Sequence, residues 1–141
     1  MSEESTTPDL VELNRRLLEA GNRHDFDAVM SFYAPDAVWE GRASGMTFEG
    51  GTAVRGFWED WFASYEQLRV EQEEALDLGN GVAFAVLIMK GRLVGGSGEV
   101  QRRVAGVSVW VGSVIVRITI YPDPGEARAA AERLAEERAR S

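Results

Sequence analysis

From Leu68 to Tyr121 the apolar residues recur at every second position, and glycine-bearing turns interrupt the run three times: LGNG at 78–81, VGGSG at 94–98 and VGS at 111–113. A period of two places alternate side chains on opposite faces of an extended chain, and Asn-Gly is the dipeptide that suits a two-residue hairpin turn. The pattern therefore predicts strands near 67–77, 81–93, 99–111 and 113–121, joined in order as an antiparallel meander. Such a sheet needs something to cover its apolar face.

The cover is supplied by the first part of the chain, where the period lengthens to about 3.6 residues. Leu10, Leu13, Leu17 and Ala20 predict an amphipathic helix capped by Thr7, with Pro8 in its first turn and GNRHD ending it. Asp25 caps a second, short helix whose apolar face is Phe26, Val29, Met30 and Tyr33, stopped by Pro35. AVWEG reads as a short strand. After a glycine-rich loop, Thr52 caps a third helix presenting Val54, Phe57, Trp58, Trp61 and Phe62. A last helix over 124–139 has Asp123 as cap, Pro124 at its first position and Glu126 completing a capping box, with Ala127, Ala130, Ala131 and Leu134 as a thin apolar stripe. Helices first and a curved antiparallel sheet after them make an α+β domain.

Length and charge narrow the functional classes. The 141 residues suit one domain, 1–141, with residues 1–6 expected to be flexible. No apolar run reaches the about 18 residues that span a bilayer, and the acidic start MSEESTTPD is unlike a secretory leader, so a soluble, cytoplasmic protein is expected. The net charge of −8 and the scattered basic residues argue against nucleic acid and anionic membranes as partners. Cysteine is absent and His24 is the only histidine, so disulfides, thiolate chemistry and a zinc site are not expected. No dinucleotide or phosphate-loop fingerprint occurs, and no cofactor is implied.

Three strings carry a family resemblance across nearly the whole chain: NRHDFDAVMSFYAPDAVWEG, FEGGTAVRGFWEDWF and SVIVRITIYPDPGEARAAAERL. In order and spacing they resemble the SnoaL-like branch of the nuclear transport factor 2-like superfamily. The resemblance implies a single SnoaL-like domain, an α+β roll in which a strongly bent sheet wraps around the N-terminal helices as a cone with a pocket inside. It also implies where catalysts would stand. For ketosteroid isomerases, which use an aspartate base, a tyrosine and a protonated acid, the match puts the base at Gly41, the oxyanion tyrosine at Leu17 and the acid at Ser108. Only a further pocket tyrosine, at Tyr33, and an aromatic wall residue, at Trp58, are retained. For limonene epoxide hydrolases, which use an aspartate, arginine and aspartate arrangement, one catalytic aspartate falls on Ile120, and the other aspartate and the arginine fall near Leu87 and Met89. The acid of SnoaL-type cyclases falls close to Ser108.

Alternation, with the resemblance as guide, assigns Trp39 and Gly41, then Ala83, Ala85, Leu87 and Met89, then Val104, Gly106, Ser108 and Trp110, then Ile118 and Ile120 to the concave face. With Leu17, Met30, Tyr33, Trp58 and Phe62 from the preceding elements, these residues other than Ala83 and Val104 form the expected pocket. The small Gly41, Ala83, Ala85 and Gly106 are expected to leave space, and Tyr33 and Ser108 to need partners. Glu40 is expected to face away from the cone. Arg102, with the parity of Ser108, can reach the mouth and suits a carboxylate or enolate. His24 reads as a solvated turn residue, Asp25 as a cap and Asp36 as turn chemistry.

The expected function is binding of a small, largely apolar molecule. Two alternatives stand beside it. One is a cyclase-, isomerase- or hydratase-like enzyme acting through Tyr33, Ser108 and Arg102 or Glu40; the other is a partner-binding scaffold acting through the convex sheet face. Val107, Val109, Phe84, Val86 and Ile88 fall on the convex face and are expected to be exposed in a single copy, so a homodimer through that face is expected.

Overall fold

The computed structural model describes residues 8–140. Its elements run α1 (Leu10–Asn22), α2 (Phe26–Met30), β1 (Tyr33–Gly41), β2 (Thr47–Glu49), α3 (Gly51–Ala63), β3 (Tyr65–Gly79), β4 (Val82–Leu93), β5 (Val100–Val111), β6 (Val114–Tyr121) and α4 (Pro124–Ala139). One curved sheet of six strands has the order β2-β1-β6-β5-β4-β3. The meander β3 to β6 is antiparallel, as its turns require, whereas β1 joins β6 in parallel. The 15-residue β3 carries three register shifts against β4. Each bends the strand and raises its twist, which curls the sheet around the helices.

The local signals differ in detail from what the sequence suggests. Thr7 and the expected flexible stretch 1–6 lie outside the described residues; the cap of α1 is Asp9, whose carboxylate accepts from the Glu12 N–H at 3.1 Å. Asp25 caps α2 through Ala28 N–H. Tyr33 is not on that helix: it opens β1, and Pro35 lies inside the strand. The β1–β6 register shifts between Tyr33 and Val38, so the stretch holding Pro35 makes no regular ladder, and the missing N–H costs no sheet hydrogen bond. Gly50, at φ 91°, caps α3 in place of Thr52, because the reversal from β2 into the helix needs a backbone that residues with a side chain avoid. The three-residue β2 is too short to show a period, and pairing with β1 alone creates it. Asp123 caps α4 through the Gly125 N–H, one residue short of the capping-box donor.

The sheet separates two cores. On the concave side α1, α2 and α3 bury Leu17, Val29, Val54, Trp58 and Phe62 against Ala83, Leu87, Trp110 and Ile118. On the convex side the alanine stripe of α4 lies over Val82, Phe84, Val86, Ala105 and Val107. This overturns the expected exposure of the convex face. Phe84, Val86 and Val107 are buried because Ala127, Ala131 and Ala135 let the helix backbone approach the sheet closely, and beside them Val109 is buried and Ile88 half-buried. No described helix is long and apolar enough to cross a membrane.

Candidate binding site

A cavity of about 250 Å³ lies between α1, α3 and the concave face. Helix α1 supplies Asn14, Leu17 and Leu18, three positions that the helical period puts on one side. Gly21, on the same helix, allows the third helix to come close, since a methyl group there would stand 2.7 Å from the Trp58 ring. Helix α3 then presents Phe57, Trp58 and Trp61. The rings support one another: Trp39 and Phe57 have centroids 4.1 Å apart, Phe57 and Trp61 5.6 Å, and Trp58 and Trp61 5.4 Å. The sheet contributes Tyr33, Trp39 and Gly41, then Leu87 and Met89, Arg102 and Val104, and Ile118 and Ile120. Ala43, Ser44, Met46 and Pro122 complete the rim, where Met46 is 49% exposed.

Six residues expected in the pocket are packed elsewhere. Ser108 is buried, and its hydroxyl oxygen accepts from the Trp110 indole N–H at 2.8 Å, which supplies the indole's partner away from the cavity. Trp110 is only 2% exposed and packs into the inner core together with Ala85. Gly106 leaves no void, because a methyl group there would meet Ile120 at 3.3 Å and Ile118 at 3.7 Å. The small residue makes room for neighbours from the next strand rather than for a ligand. Phe62 is buried between His24, Phe26, Trp58 and Trp61, and Met30 is half-buried on α2. Sequence reasoning missed Asn14, Leu18, Phe57 and Trp61, although the α1 and α3 periods carry them, and the rim residues, which no period marks.

Tyr33 is the central polar group of the wall. Its phenol oxygen accepts from the Trp58 indole N–H at 3.2 Å, and not from Ser108. The phenol hydrogen is therefore available to a ligand. Burial pushes its pKa above the ordinary tyrosine range of about 10, with the Trp58 hydrogen bond acting in the opposite direction, so at neutral pH it is a donor and not a base. Gly41 lines the cavity. A methyl group there would meet Ser44 Oγ at 2.7 Å and the Trp39 ring at 3.1 Å, so the space a base would need is already occupied. The Glu40 carboxylate pairs with Arg117 at 2.7 Å, and Glu40 is absent from the cavity lining. His24 is exposed, stacks on Phe26 and likewise stays outside the cavity, while Asp27 pairs with Arg55. Arg102 stands at the mouth, exposed.

Among the described residues, the ionisable side chains lining the cavity are Tyr33 and Arg102. Both are hydrogen-bond donors that can bind and polarise an acceptor. Among the described residues no group of three or more His, Cys, Asp or Glu side chains is placed to hold a metal ion.

Comparison with known proteins agrees with this architecture. The sequence profile of the SnoaL-like domain matches residues 14–120. A Catenulispora acidiphila protein with a ketosteroid isomerase-like fold, crystallised with trimethylamine, is 18% identical, covers 89% of this chain and 93% of its own, and superposes with a TM-score of 0.72. A Mycobacterium tuberculosis protein in complex with estradiol-17β-hemisuccinate is 19% identical over 81% of this chain and 93% of its own, at a TM-score of 0.70. A candidate polyketide cyclase from Sinorhizobium meliloti is 25% identical over 80% and 94%, at a TM-score of 0.64. No match is found among curated proteins.

Proposed function

Because the chain belongs to the SnoaL-like domain family, we propose that it binds a small, largely apolar molecule in the cavity between α1, α3 and the sheet. A hydrogen-bond acceptor on that molecule meets the Tyr33 phenol. The observation that carries this reading is a buried phenol donor in a wall that is otherwise mainly aromatic and aliphatic, with Asn14, Ser44 and Arg102 as its other polar side chains and no carboxylate or imidazole among the described lining residues. Mostly apolar concavities with a few placed polar groups are the usual form of small-molecule sites. An apolar cavity of about 150 Å³ takes benzene, so 250 Å³ suits a body of more than one ring.

The enzyme alternative keeps the same pocket but requires a base. General-base catalysis contributes about 10² to 10⁴-fold, and the candidates for it are elsewhere: Ser108 is bound to Trp110, and Glu40 to Arg117. Binding without turnover is therefore the favoured function. The dimer expected through the convex face is confined on this reading to the strip beside α4 that includes Val109, Arg117 and Thr119. Light scattering that finds only monomer at micromolar concentration removes the dimer.

Titration of Trp fluorescence with ketosteroids and with smaller aromatic ketones tests the proposal. Saturable change from Trp39, Trp58 and Trp61, with no isomerisation above background, is the expected result. Steroid turnover that disappears in Tyr33→Phe overturns the non-catalytic reading.

A further inference from the structure

Arg102 and Arg103 are neighbours on β5 with opposite fates. The Arg103 guanidinium is held by Glu73 in a two-point contact, Nε to Oε1 at 3.1 Å and Nη2 to Oε2 at 2.9 Å. Arg102 pairs in register with Met89, shares the cavity lining with it, and has no carboxylate partner among the described residues. Arg42, near the same rim, is engaged with Glu40 and lies over the Tyr121 ring. In a chain of net charge −8 the mouth of an apolar cavity thus carries an uncommitted guanidinium, and no carboxylate lines the space behind it.

Resting on the binding function above, we propose that the natural ligand is an amphiphilic organic anion: a flat apolar body lies against the Phe57, Trp58 and Trp61 wall, and its carboxylate or similar acid group is held at the mouth by Arg102. A guanidinium presents paired donors that match a carboxylate's two oxygens. A cationic ligand would need the opposite arrangement. Among the described residues no carboxylate lines the cavity to neutralise a cation's charge.

Calorimetric titration with three probes of equal size separates the possibilities: 2-naphthoate, the neutral 2-naphthamide and a 2-naphthyl-trimethylammonium salt. At low ionic strength the naphthoate is expected to bind about five-fold more tightly than the amide, the scale of one partly exposed ion pair. The ratio should fall toward one in about 1 M salt. It should also fall toward one in Arg102→Gln and survive in large part in Arg102→Lys, substitutions at an exposed position that do not disturb the core. Equal affinity of naphthoate and naphthamide, or preference for the ammonium probe, overturns the anion assignment and leaves the apolar pocket standing. Failure of all three probes to bind overturns both.

Discussion

Tyr33 joins two requirements in one hydroxyl group, since it satisfies the buried Trp58 indole and offers its own hydrogen to the cavity. Tyr33→Phe leaves that indole N–H without a partner, which costs about 1–3 kcal/mol. A thermal melt should show Tm lowered by several degrees. The same residue sets an alkaline limit. Its folded pKa is raised above the unfolded value of about 10, so its contribution is fully present below pH 10 and is lost as pH rises through the folded value. Stability measured by denaturant between pH 9 and about 12 should decline in the wild type and decline less steeply in the Phe variant. Gly41 gives the complementary case. Gly41→Ala forces Ser44 and the Trp39 ring aside and should cost about 1–3 kcal/mol, with partial recovery in the Gly41→Ala, Ser44→Ala double variant, because the shortest contact is to the Ser44 hydroxyl.

At the level of elements, two helices depend on small residues in opposite ways. Within α1, Gly21→Ala should gain about 1 kcal/mol in helix propensity. The new methyl group would stand 2.7 Å from the Trp58 ring, however, and Trp58 is buried and tied to Tyr33, so it cannot yield cheaply. Overpacking of about 1–3 kcal/mol outweighs the gain, and chemical denaturation should report a net loss. On α4 the alanines act as a close-fitting cover. Ala131 is fully buried against the convex sheet, so Ala131→Asp places a carboxylate in an apolar interface with no partner. The helix should detach, uncovering Phe84, Val86 and Val107; size-exclusion chromatography and a hydrophobic dye are expected to report self-association.

For the whole molecule, the sheet is a partition between two cores. The outer side is covered by α4 over Val82, Phe84, Val86, Ala105 and Val107 but leaves the strip with Val109, Arg117 and Thr119 uncovered by that helix, and the inner side retains the cavity beside the aromatic wall. A ligand that enters the native cavity and not the unfolded chain must raise stability, by about 2.7 kcal/mol at a hundred times its Kd. Saturating 2-naphthoate should therefore raise Tm by several degrees in the wild type, and by less in Arg102→Gln at the same concentration. Differential scanning calorimetry checks both.

Much of this arrangement is legible locally. Strand parity follows from the backbone pleat, so Gly41 on the concave side and the alternation of Leu87 and Met89 can be read from the sequence, as can the Asp25 cap and the three glycine turns, each of which needs only a few neighbouring residues. Tyr33, Trp39, Trp58 and Arg102 at one cavity are likewise anticipated by period and resemblance. What the sequence leaves open depends on partners distant along the chain. The parallel β1–β6 pair, the short β2 and the tolerance of Pro35 all arise from pairing across the sheet. Whether a small residue such as Gly106 leaves a void is set by Ile118 and Ile120 on the next strand, and whether Ser108 faces a ligand is set by the Trp110 indole. The convex valines look exposed until α4 is in place. Hydrophobic burial is non-directional: a side chain's pattern fixes which face it shares, while close packing in three dimensions settles what fills that face and what remains open.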